Sequence, residues 1–222
     1  MQPFQPFTAV ALPLLRDNID TDALVPSREI KTVSKTGLAD GLFAGWRYVG
    51  GDHSRPDPAF ALNDPAYSGV QILLAGGNLG CGSSREQAVW ALAEYGFRVL
   101  VAPSFNPIFF RNCVRNGILP ATLDAGKIAE IAGWVSADPQ RNRLSVDLRL
   151  RTIIACDARS WAFTIPDGPQ DFLLRGADAI DETLKLRERI EEFRAIDRLR
   201  RPWAYETGSV QGADVQADDD LL

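Results

Sequence analysis

The 222-residue sequence is poor in the residues from which one chain builds a metal site, with a single histidine and three cysteines. Cys81, Cys113 and Cys156 stand more than thirty residues apart, form no C-x-x-C pair and have only His53 to assist them. Their spacing gives no support to a metal or cluster site made by this chain alone. An odd cysteine count in a chain too large to need disulfide staples implies reduced thiols. His53 lies in the polar stretch GGDHSRPDP and reads as a surface loop residue.

Long apolar runs are missing as well. No stretch approaches the roughly 20 residues that span a bilayer. The opening MQPFQPF lacks the charged and apolar regions of a signal peptide. A cytoplasmic protein without membrane contact is expected. There is no surplus of positive charge either: the formal net charge is −5, and no basic run is dense enough to neutralise a phosphate backbone, which argues against nucleic acid as a partner. The stretch Arg187 to Arg201 interleaves its arginines with Glu188, Glu191, Glu192 and Asp197 and reads as a solvated helix face.

What remains is an ordinary globular composition, 45% hydrophobic and 24% charged, in a chain long enough for one good core. Phe7 to Leu14 reads as a first strand, followed by a polar turn from Arg16 to Asp22. Segment 37–49 is a candidate short helix and 50–68 a long loop. Val70 to Ala75 has the continuous apolar character of a strand buried on both faces. Next come the glycine-rich GGNLGCGSSRE and a helix ending at Gly96, a strand from Arg98 to Ala102, and a helix opened by Asn106-Pro107 and closed by Asn116-Gly117. Two successive β-α units predict a parallel α/β core. Strict alternation over 144–150, continued in 153–156 and 161–165, predicts an added antiparallel hairpin or meander. A C-terminal amphipathic helix is expected over about 178–200, and 206–222 is expected to be disordered.

The loop glycines Gly76, Gly77, Gly80 and Gly82 allow close backbone approach to an anion at a helix entrance. A Walker loop would need a lysine before the serine, and a dinucleotide fingerprint would need glycine where Arg85 stands. A phosphate- or nucleotide-binding module therefore stays the weaker alternative. Ser83-Ser84-Arg85-Glu86 also has the form of a capping box, with Ser83 capping the helix and Glu86 reaching back. Asn18, Asp20, Thr21 and Asp22 suit a plain Asx-type turn.

The string GCGSSRE at 80–86 closely resembles the active-site signature of the aconitase superfamily's swivelling domain. DNIDTDALVP at 17–26 resembles that family's N-terminal motif, and APSFNPIFFRNCVRNGILP at 102–120 the segment after the signature helix. LFAGWRY at 42–48 and RRPW at 200–203 extend the match over roughly residues 8–203. The resemblance implies an α/β swivelling domain, a β/β/α layered structure, over 1–203 with an acidic tail at 204–222. It also implies the small half of a two-chain hydro-lyase of leucine biosynthesis, acting on a small dicarboxylate. Its [4Fe–4S] cluster would be bound by the large subunit and not by this chain. By resemblance, Ser83 is the base, Ser84 and Arg85 bind carboxylate and stabilise charge, with Arg85 counted as catalytic beside Ser83, and Gly80 and Gly82 shape the loop. Asp20, Thr21, Asp22 and Arg28 are substrate-site candidates, the last within 27–37, the segment that selects the substrate side chain. The sequence departs from the family at Gln87, where histidine is usual. Glutamine keeps hydrogen bonds but holds no charge, so a paralogue hydrating citraconate, maleate or dimethylmaleate is the alternative. A regulatory subunit that kept the fold without catalysis is a further one.

Overall fold

The computed structural model describes residues 1–30, 34–83, 85–176 and 183–205. The chain forms two compact units, Met1–Asp178 and Ala179–Leu222. Unit one is built on a seven-stranded sheet of order β4-β3-β2-β1-β5-β6-β7. Its strands are β1 (Phe7–Leu14), β2 (Val70–Ala75), β3 (Val99–Ala102), β4 (Leu119–Thr122), β5 (Leu144–Asp147), β6 (Thr152–Ala155) and β7 (Ser160–Ala162). The pairs β1–β2, β2–β3 and β3–β4 are parallel; β1–β5, β5–β6 and β6–β7 are antiparallel. The fold is therefore α/β with a parallel half and an antiparallel meander.

The central strands are largely apolar, with Thr8 and Gln71 near their starts, because both faces are covered. Val10, Leu12, Leu14, Leu73 and Leu100 join one core with helix α3 (Glu86–Tyr95) and the 38–62 segment. Ala9, Ala11, Ile72, Leu74, Val99 and Val101 join the other, with helix α5 (Ala125–Ala137) and the meander. Helix α4 (Pro107–Arg115) opens on Asn106, whose Oδ1 accepts from the Ile108 amide at 3.0 Å. The short helices α1 (Thr21–Leu24) and α2 (Ala44–Arg47) lie in the loops, and α6 (Asp167–Arg175) ends on Gly176 in the left-handed conformation. The second unit's described part is α7 (Arg187–Arg200) and a short turn. Among the described residues no helix is long and apolar enough to cross a membrane.

Several expectations are corrected. Segment 37–49 holds the short helix α2 at Ala44–Arg47, preceded by a separate single turn at Ala39–Gly41, and is not helical along its whole length. The alternating strand stops at Asp147, whose Oδ1 takes the Leu150 amide at 3.0 Å and turns the chain. Leu148 stays buried but Leu150 is 69% exposed. Helices α5 and α6 were not anticipated. The N-terminal part of the expected 178–200 helix, up to residue 182, and the tail at 206–222 lie outside the described residues.

Candidate active site

Parallel pairing sets the carboxyl ends of β1, β2 and β3 along one edge, so the loops that follow them must meet. They are joined by backbone bonding. Gly80 donates to the Ile19 carbonyl at 2.7 Å, and Thr21 to the Cys81 carbonyl at 3.1 Å, making a bridge between Asp20 and Cys81. Leu79 donates to Ser104 at 3.1 Å and Asn106 to Leu79 at 2.9 Å, which ties in the loop after β3.

Five successive amides of the glycine loop are thereby committed to protein acceptors. Gly76 and Gly77 donate to the Arg16 carbonyl (3.1 Å) and Asp17 Oδ1 (2.6 Å). Asn78 donates to Ser104 Oγ at 2.8 Å, and Leu79 and Gly80 donate as above. An amide so engaged is not free to cradle a phosphate. Gly80 is required for another reason: its φ is +76°, and a Cβ there would stand 2.0 Å from the Phe109 ring. Gly82, φ +84°, faces the Asp20 side chain, which a Cβ would meet at 3.4 Å.

The capping box does not form. Helix α3 begins at Glu86 with Arg85 as a cap residue that makes no side-chain capping bond. Ser83 lies outside the helix. Its carbonyl accepts from the Arg85 amide at 2.8 Å and from Thr21 Oγ1 at 2.7 Å, while its exposed hydroxyl forms no hydrogen bond among the described residues. Glu86 does not reach back; its Oε1 accepts from Asn116 Nδ2 at 3.0 Å. The competing tertiary bonds move the helix start past the local pattern.

Around Ser83 the N-terminal motif supplies the walls. Thr21 is buried and aimed at the Ser83 carbonyl. Asp20 takes the Ala23 amide on Oδ1 at 2.6 Å, so the Asx-type turn is also present. Asp22 pairs with the Arg85 guanidinium and accepts from Ser27 Oγ at 3.2 Å. Arg28 does not join this group: its Nε lies 3.3 Å from Glu29 and its guanidinium rests against Gly51. Ser84 lies outside the described residues, as do 31–33 within 27–37. Reading the sequence missed Asp17, Asn78 and Ser104. Asn78 had a visible signal, an asparagine among glycines, and adopts φ +56°, with Nδ2 donating to Asn18 Oδ1 at 2.8 Å. Ser104 lay inside the 102–120 string but carried no signal of its own, because strand adjacency brings it in.

The cysteines do not suit a cluster. Cys113 is buried and burial pushes its thiol well up; Cys156 is exposed, and Cys81 is half-buried. Among the described residues no three His, Cys, Asp or Glu gather as metal ligands. His53 is partly exposed, stacked on Tyr48 and 3.2 Å from Glu29.

The family model of the aconitase C-terminal domain matches residues 1–126. The chain is 51% identical over 208 residues to the 3-isopropylmalate dehydratase small subunit of Cupriavidus necator, covering 94% of this chain and 100% of that protein. It is 43% identical over 203 residues to 3-isopropylmalate dehydratase small subunit 1 of Bordetella pertussis, covering 91% and 99%. Among solved structures it resembles 3-isopropylmalate dehydratase from Methanocaldococcus jannaschii, with TM-score 0.61 and 26% identity, over 86% of this chain and 99% of that one.

Proposed function

This chain belongs to the aconitase C-terminal domain family and to its 3-isopropylmalate dehydratase small subunits, and from that premise we propose how it works. It is the small half of a two-chain hydro-lyase that isomerises 2-isopropylmalate to 3-isopropylmalate, through 2-isopropylmaleate, in leucine biosynthesis. The observation that carries this is the 51% identity along nearly the whole chain. The enzyme works in the cytoplasm.

Ser83 is the base that takes the proton from the carbon beside a substrate carboxylate. A serine hydroxyl needs a nearby cation before it can serve so, and Arg85 supplies it. The pairing of Arg85 with Asp22 supports its second role, holding a substrate carboxylate, since a guanidinium that holds one carboxylate has the fork to accept another in its place. Thr21 holds the Ser83 backbone, Asp20 holds the turn that carries Thr21, and Ser84 contributes a second contact to carboxylate. Segment 27–37, with Arg28, selects the substrate side chain. The family's enzymes use a [4Fe–4S] cluster; since this chain's cysteines do not suit one, we infer that its ligands lie on the large subunit. No step assigned to this chain runs through it.

Reconstitution tests the reading. Mixed with a large subunit, the chain is expected to turn over 3-isopropylmalate, and each subunit alone to turn over none. A stable cluster spectrum or activity from this chain alone would overturn the division of labour. Preference for citraconate or maleate would move the assignment to a paralogous hydratase.

A further inference from the structure

Helix α3 starts beside the proposed base and ends on an acid. Glu94 stands in its last turn, where helix carbonyls disfavour a carboxylate and no basic residue is present. What it holds accounts for its position. Oε1 accepts from the Gly37 amide at 2.6 Å, and Oε2 accepts from Leu38 at 2.6 Å and Ala39 at 2.9 Å. Gly37, at φ +86°, turns the chain so that consecutive amides converge on one side chain. The Gly37 bond most of all, against the opposing effect of burial and helped by the bonds from Leu38 and Ala39, keeps this carboxyl below its ordinary range.

A second grip lies beside the first. Lys35 donates to Asn116 Oδ1 at 3.3 Å and its ammonium sits 5.4 Å from the centre of the Trp90 ring on α3. The described downstream end of 27–37 is thus fastened to the last turn of α3 through Glu94 and, through Lys35, to Trp90 in the same helix and to Asn116, which also bonds Glu86 at that helix's start.

We propose that Glu94 is a positioning residue for substrate choice, fixing the backbone at Gly37–Ala39 and so the way the residues before it are presented. The inference rests on the reading that segment 27–37 selects the substrate side chain. Glu94 has no bond to the Gly76–Ser83 loop among the described residues, so its loss should spare the chemical step.

The test uses the reconstituted two-subunit enzyme with Glu94→Gln, which keeps the size and removes the charge. KM for 3-isopropylmalate is expected to rise about tenfold with kcat nearly unchanged, and selectivity over citraconate to fall by the same factor. Amide exchange at Gly37, Leu38 and Ala39 should speed up, and Glu94→Asp should restore part of the selectivity. Equal losses on both substrates, or unchanged exchange at the three amides, would overturn the proposal. Replacing 27–37 with a paralogue's segment separates the two claims. If that exchange moves selectivity and Glu94→Gln does not, the role of Glu94 alone fails. If neither moves it, the segment is not the selector and the inference falls with it.

Discussion

The strands of the parallel half are buried almost throughout, whereas those of the meander alternate buried with exposed or half-buried residues, and the candidate residues on described strand-end loops cluster in the parallel half. In the parallel half, β1 to β3 run the same way and end together, so the loops at 15–20, 76–85 and 103–106 share an edge and bond to one another. In the meander, successive strands reverse, and the turns at 148–151 and 156–159 fall at opposite ends. Each is closed locally, by Asp147 on the Leu150 amide and by Asp157 on the Arg159 amide at 3.2 Å. Convergence of loops from distant sequence is a property of parallel pairing, and it gathers the proposed site residues on one edge.

The largest effect that would sharpen this contrast is on turnover. Ser83→Ala is expected to lower kcat by roughly 10²–10⁴-fold. Complex formation and stability should stay near those of the parent, because the hydroxyl makes no hydrogen bond among the described residues. Ser160→Ala, at an exposed position on β7, should leave turnover unchanged. Steady-state kinetics on the two reconstituted variants decide it, and activity near the parent's in Ser83→Ala would remove the base from the loop edge.

A smaller effect, on stability, separates glycines the backbone needs from those it tolerates. Gly80→Ala places a methyl inside the Phe109 ring at a left-handed φ. Left-handed strain costs about 1–2 kcal/mol and overpacking about 1–3 kcal/mol, for a fall in Tm of roughly 4–20 °C. Gly133 lies exposed in α5 with nothing near its Cβ position, so Gly133→Ala should gain up to about 1 kcal/mol. Calorimetry that found the two alike would mean the Gly80–Phe109 contact does not hold the loop.

The parts of the fold legible in sequence were those with a complete local signal. β1 and β2 run from the residues their apolar runs indicated, and α4 from its Asn-Pro opening to its Asn-Gly close. Helix α5 was hidden although Asp124 caps it, because Gly126 and Gly133 dilute its helical signal. At the site, the structure brings Asp20, Thr21 and Asp22 of one motif beside Ser83 and Arg85 of the other, while the bonds made by Asp17, Ser104 and Asn116 depend on neighbours chosen by the sheet. The capping box failed for the same reason. A local pattern at Ser83 met the Thr21 hydroxyl, sixty-two residues away, and the longer contact won.

The finest division between the halves comes from removing one hydrogen bond in each. Thr21→Val keeps the shape and deletes the donor to the Ser83 carbonyl at 2.7 Å. Asp147→Ala deletes the acceptor of the Leu150 amide at 3.0 Å. Either should cost about 1 kcal/mol, the usual net worth of such a bond, and the two melting temperatures should fall together by a few degrees. Their effects on turnover should differ. Loss of the Thr21 bond frees the backbone that aims the proposed base, and small misplacements of a reacting group carry large rate penalties, so kcat should drop about tenfold. Loss of the Asp147 bond loosens a turn on which no proposed step depends, and kcat should hold. If both variants lose stability and turnover in proportion, turnover tracks folded protein and Thr21 has no special hold on Ser83. If Thr21→Val alone loses turnover at matched stability, the loop edge of the parallel strands is where this chain does its chemistry.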